Sequence, residues 1–91
     1  MSDILNRFRT KTKEIFGEDA REIYLGNNKG VWFRVLTDHG YKTMQVYKLK
    51  FAVEVIGLDK SYYETSRTFI NIKFDVADED VEDAILNCIS S

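Results

Sequence analysis

The stretch Thr43–Gly57, TMQVYKLKFAVEVIG, constrains this chain more than any other. Tyr47, Leu49, Phe51, Val53 and Val55 fall at every second position, with Lys48, Lys50 and Glu54 among the residues between them. A period of two places one apolar row on one face of a sheet and a polar row on the other. A helix would scatter the same residues around its circumference. Fifteen strand residues would span roughly 50 Å at about 3.3 Å each. A domain of this length measures about 30 Å across, so the strand must bend. The apolar phase changes from even positions (Met44, Val46) to odd ones at Tyr47, as one inserted bulge residue would produce. The expectation is one bulged strand whose first half pairs with the strand before it and whose second half pairs with the strand after it.

The remaining elements follow from their periods and their punctuation. Ser2 is a capping residue for a helix over Asp3–Phe16. In it Ile4, Leu5, Phe8, Thr12, Ile15 and Phe16 form a stripe about 120° wide, with Gly17 at the C-cap. Arg7, Arg9, Lys11 and Lys13 divide between the two flanks of that stripe, which reads as snorkelling rather than as a phosphate site. Arg21–Leu25 is a short strand, although Glu18–Glu22 would also continue the helix. Asn27–Gly30 and Asp38–Gly40 carry turn chemistry, and Val31–Thr37 between them is a strand. After an irregular stretch, Leu58–Ser66, the last strand covers Arg67–Val76. Asp78 caps a helix over Glu79–Ile89, whose stripe is Val81, Ala84, Ile85, Cys88 and Ile89.

The order α-β-β-β-β-α predicts one α+β domain over residues 1–91. In it a four-stranded antiparallel sheet carries the N-terminal and C-terminal helices on one face. That face is expected to hold Phe33, Val35, Leu49, Phe51, Val53, Ile70, Ile72 and Phe74. The 91 residues suffice for such a core. The single cysteine, Cys88, rules out an internal disulfide. Met1-Ser2-Asp3 has neither the basic nor the apolar region of a secretory signal, and no apolar run approaches a membrane span, so the expected location is cytoplasmic.

Little supports catalysis. His39 is the only histidine and sits in a turn, and Cys88 lies on an apolar stripe. The chain has no His/Cys set for zinc and no glycine-rich phosphate loop. Asp75–Asp83 lacks the glycine and spacing of a calcium loop and reads as a solvated helix start. The expectation is a non-enzyme without metal or cofactor.

Alternation leaves Trp32, Arg34, Leu36, Lys48, Lys50, Ala52, Glu54, Ile56, Phe69, Asn71 and Lys73 on the sheet face away from the helices. Trp32, Leu36, Ile56 and Phe69 would form an apolar patch for another protein or a second copy. Trp32 and Phe69 beside Lys48, Lys50 and Lys73 give a second reading, single-stranded nucleic acid, which ranks below protein contact. The Tyr62-Tyr63 pair in the irregular stretch has the composition of an interface anchor. Charge is uneven: residues 1–50 hold ten Lys/Arg against six Asp/Glu, and residues 51–91 hold three against nine. The net charge of −2 and pI near 5.3 weigh against nucleic acid. The expected function is a small protein-binding module, such as an adaptor, an inhibitor or a chaperone-like subunit, or a homodimer. Its contact residues would be Trp32, Arg34, Leu36, Lys48, Lys50, Ile56, Tyr62, Tyr63, Phe69 and Lys73, with nucleic-acid binding as the alternative.

Overall fold

A computed structural model describes residues 3–24 and 30–91. The proposed cap at Ser2 and the turn at Asn27-Asn28-Lys29 lie outside the described residues. Helix α1 (Ile4–Phe16) is capped by Asp3, whose carboxylate accepts from the Leu5 N–H at 3.0 Å, and it ends at Gly17 with φ 56°. A short 3-10 turn, Gly17–Asp19, leads into β1 (Ala20–Ile23). Then come β2 (Gly30–Thr37), β3 (Gly40–Lys48), β4 (Ala52–Leu58), β5 (Glu64–Asn71) and α2 (Asp78–Ser90). The strands form one antiparallel meander in the order β1-β2-β3-β4-β5.

The class is α+β as expected, but the sheet has five strands rather than four, because Thr43–Gly57 is not one strand. The chain reverses over Leu49–Phe51, where the Leu49 N–H donates to the Ala52 carbonyl at 2.7 Å. The change of apolar phase is therefore a hairpin and not a bulge. Val46 lies opposite Val55, so an even row on β3 meets an odd row on β4. The reversal contains no Gly, Pro, Asn or Asp, and Leu49 and Phe51 continue the strand-like alternation straight through it. Tertiary closure chose the turn where local chemistry did not mark it. The other bounds move as well. The last strand stops at Asn71 instead of Val76, Leu58 belongs to β4, Gly30 starts β2, and Ala77 is the N-cap of α2 in place of Asp78.

Both helices cover the same sheet face. They run side by side in the same direction, with Arg7 near the start of α1 paired to Asp78 at the start of α2 at 2.8 Å. α1 contributes buried Ile4, Phe8 and Thr12, and the Thr12 hydroxyl donates to the Phe8 carbonyl at 2.6 Å. α2 contributes Val81, Ala84, Ile85 and Cys88. Beneath them lie Val31, Phe33, Val35, Met44, Val46, Val53 and Val55, with Ile70 and Ile72 partly buried. Three residues expected in this core are outside it. Leu49 and Phe51 sit in the hairpin turn, Phe74 follows β5, and Phe51 and Phe74 are 53% and 74% exposed. Bare backbone lets α2 approach the sheet: a Cβ on Gly57 would stand 2.9 Å from the Cys88 carbonyl oxygen and 2.7 Å from Ser66 Oγ. No described helix is long and apolar enough to cross a membrane.

Candidate functional site

The register sorts the expected contact residues into three groups. Trp32, Arg34, Leu36, Ile56 and Phe69 do lie on the face away from the helices. Lys48 does not, because it stands opposite Val53 and shares the phase of the helix-covered row. Lys50 lies in the β3–β4 turn and Lys73 follows β5. Tyr62 and Tyr63 are exposed in the β4–β5 loop.

The expected Trp32–Leu36–Ile56–Phe69 patch is not an open surface. Ile56 is only 7% exposed and Trp32 is half-buried. The Trp32 ring packs edge-on to Tyr47, its diagonal neighbour across the strands, at 6.4 Å and 88°. Its indole N–H is enclosed without a hydrogen-bond acceptor among the described residues. This tryptophan spends its surface on its own sheet. Phe69, at the far edge on β5, stays exposed.

What gathers at the surface instead is a cluster around Arg34. Its Nη2 donates to the Tyr62 hydroxyl at 2.9 Å, and its guanidinium lies 5.8 Å from the centre of the Tyr41 ring. Leu36 stands directly opposite Tyr41, and both are exposed. Four strand residues and one loop residue thus share one end of the outer face once Thr43 is counted, buried beside Leu58 beneath it. Tyr62 reaches the cluster through an unusual backbone, being the only described non-glycine residue with positive φ, at 65°. Asp59 builds the loop that imposes this. Its carboxylate accepts from the Ser61 and Tyr63 N–H groups at 2.8 and 3.0 Å. Its backbone N–H donates to the Tyr63 carbonyl and its carbonyl accepts from the Tyr62 N–H, both at 2.9 Å. Tyr41 is not among the expected contact residues, because it precedes the stretch read as a strand. Alternation back from Thr43 would have placed it on this face.

A second group lies at the opposite end of the sheet. Lys50 and Lys73 bring their ammonium groups to 5.3 and 4.9 Å from the centre of the Phe51 ring. The Ile72 N–H donates to the Phe51 carbonyl at 3.0 Å, which joins the two segments.

An open cavity of about 710 Å³ lies where both helices end, against the β2–β3 and β4–β5 turns. Phe16, Leu86 and Ile89 give it an apolar floor, and His39, Lys42 and Asp59 line its rim. Cys88 does not line it. Desolvation pushes the Cys88 thiol up to about 11, against the opposing contact with Ser66, so it is protonated at neutral pH. Among the described residues no group of three or more His, Cys, Asp or Glu is placed to hold a metal ion.

Comparison of the chain with protein-family models, with curated proteins and with solved structures finds no match.

Proposed function

We propose that this chain is a small non-enzymatic module that binds another protein, with the Arg34–Tyr41–Tyr62 cluster at the centre of its contact surface. The backbone of Tyr62 carries this reading. Holding a tyrosine in the left-handed region costs on the order of 1 kcal/mol, and such strain persists only where the surroundings over-determine it. Here the Asp59 turn supplies the constraint, and the result is an exposed aromatic ring fixed against an arginine. Tyrosine and arginine are the types that most often anchor protein interfaces, and a ring already held in place loses little freedom on binding. Adaptor, inhibitor, chaperone-like subunit and homodimer all use such a surface.

The test is capture of partners by the tagged protein from the cells that express it, with and without nuclease, followed by titration of the purified partner. Tyr62→Ala and Arg34→Ala should each weaken binding by about 2 kcal/mol, or roughly 30-fold. Unchanged affinity in both variants would remove the cluster from the interface.

The Phe51 group supports a second reading, single-stranded nucleic acid, because a base can stack on an exposed ring while flanking lysines neutralise phosphates. It moves that contact from the open sheet face to the turn end. Two lysines on an acidic chain make a weak footprint, so protein contact stays first. Oligonucleotide titrations separate the two readings: Lys50→Ala and Lys73→Ala would each lower the salt slope by about 1 if phosphates bind there.

A further inference from the structure

We infer that the open edge of β5, with the flank of α2 above it, is a docking groove for a basic extended segment of another protein, which adds to the sheet as a further strand.

Hydrogen-bond phase decides which backbone groups of this edge are free. β5 is the last strand of the meander, so only one of its sides is paired. Because the Ile72 N–H bonds to Phe51, the alternate residues Ile70 and Thr68 also turn their backbone groups toward β4. The N–H and C=O groups of Arg67, Phe69 and Asn71 therefore point away from the sheet. This is a continuous ladder ready for another strand. β5 has no proline or lysine. Its charged residues, Glu64 and Arg67, and the register irregularity at Gly57/Leu58 lie toward its start, and Arg67 is paired to Glu54 and Glu64, so residues 68–71 carry none of the usual devices that blunt an edge.

The flank of α2 selects the occupant. An open groove of about 480 Å³ runs between β5 and α2. Asp80, Asp83 and Asn87 overlook it from one side of the helix, next to the stripe that packs on the core. Among the described residues no lysine or arginine lines the groove and neither Asp80 nor Asp83 forms an ion pair. The one hydrogen bond the Asp80 carboxylate accepts, from the Ala77 N–H at 3.4 Å, caps α2 and leaves its charge unneutralised. An added strand would point every second side chain into this groove, at a spacing of about 6.7 Å. Asp80 and Asp83 are separated by about 4.5 Å along the helix, within reach of two such side chains ending in cations.

The same carboxylates disfavour the other occupants. Two-fold pairing of β5 with a second copy about Phe69 would bring Asp80 and Asp83 of both copies to one seam, with no cation between them. A nucleic-acid backbone would meet the same negative charge. This groove lies on the helix side of the sheet and does not involve the Tyr62 cluster, so either surface can fail without the other.

The probe is a fluorescein-labelled nine-residue peptide with lysine at alternate positions and valine or threonine between. Its counterparts are a peptide with glutamate in place of lysine and a lysine peptide N-methylated at alternate residues. Anisotropy titration should show the lysine peptide binding at least 10-fold more tightly than either counterpart. The Asp80→Asn/Asp83→Asn double variant should lose about 10-fold, and Tyr62→Ala should lose nothing. Amide exchange of the wild-type protein supplies a direct readout. The N–H groups of Arg67, Phe69 and Asn71 should exchange quickly in the free protein and become protected at saturating peptide. Those of Thr68 and Ile70 should be protected throughout. Absence of binding, equal binding of the N-methylated peptide, or no new protection at Arg67, Phe69 and Asn71 would each overturn the proposal. So would a dimer of the free protein that Asn71→Pro dissociates, because a second copy would then hold the edge.

Discussion

The two ends of the sheet are closed in different ways. At the end where both helices finish, each turn carries its own chemistry. Between β2 and β3 the Thr37 hydroxyl accepts from the His39 N–H at 3.1 Å and donates to the Gly40 carbonyl at 2.6 Å, with Gly40 at φ 101°. Between β4 and β5, Asp59 binds the backbone of its own loop. At the opposite end, the β3–β4 turn has only the short Leu49–Ala52 backbone bond and no turn-forming residue of its own, and the other described contacts that close it are long-range. Ile72 bonds to Phe51, and Arg7 donates to the Val76 carbonyl at 2.8 Å and pairs with Asp78. A locally encoded turn announces itself in the sequence, and one held by partners distant in the chain does not.

That contrast accounts for what is legible in the sequence. Alternation assigns the rows Val31-Phe33-Val35 and Val53-Val55 to the covered face, and they are buried there. Both helices are visible in their stripes, because a period near 3.6 sustained over thirteen residues cannot be laid along one face of a strand. Leu49, Phe51 and Phe74 are misplaced for one reason: alternation says which residues share a face while a strand lasts, and says nothing about where it stops. The candidate site is half visible. Arg34 and Tyr62 stand out as residue types, but their hydrogen bond spans 28 positions and depends on the β4–β5 loop folding back across the sheet. The outward phase of Arg67, Phe69 and Asn71 follows only from the register with β4.

The sharpest test compares two phenylalanines. Phe33 is wholly buried under the helices, and Phe33→Ala should cost about 3–5 kcal/mol, which threatens the folded state of so small a domain. Phe51 holds its turn through its backbone, and its ring is more than half exposed. Phe51→Ala and Phe74→Ala should stay within about 0.5 kcal/mol of the parent. Urea midpoints of the three variants measure this. Equal losses at Phe33 and Phe51 would return the β3–β4 turn to the core and erase the contrast.

Next in size is Gly57→Ala. The added methyl group meets a backbone carbonyl of α2, which cannot swing aside as a side chain could, so a loss of about 1–3 kcal/mol is expected. A neutral result would mean that α2 stands further from β4. Gly40→Ala should cost less, about 1 kcal/mol, because nothing crowds the new methyl group and only the backbone conformation is penalised. Were Gly40→Ala neutral, the β2–β3 turn would not be locally encoded.

The smallest effect probes the long-range end. The Asp78 carboxyl is held below its ordinary value, chiefly by the hydrogen bond from Arg7 and further by the charges of Lys11 and Arg7. A carboxyl depressed in the folded state adds stability that is complete above its unfolded value, about 3.9, and is lost as pH falls through the folded value below it. Asp78 is well exposed, so solvent screens the pair and the contribution is small. Urea midpoints between about pH 5 and pH 2.5 should therefore fall slightly more steeply for the parent than for Asp78→Asn, with the two curves converging at the acid end. Glu64, held down by Arg67 in the same way, titrates in this window too, so the difference between the curves, and not either slope alone, reports on Asp78. Arg7 also donates to the Val76 carbonyl, and that bond does not titrate. Arg7→Met should thus lose more stability than Asp78→Asn at neutral pH. If the two variants were equally stable there, the carbonyl bond would contribute nothing, and Arg7 would act at this end through the ion pair alone.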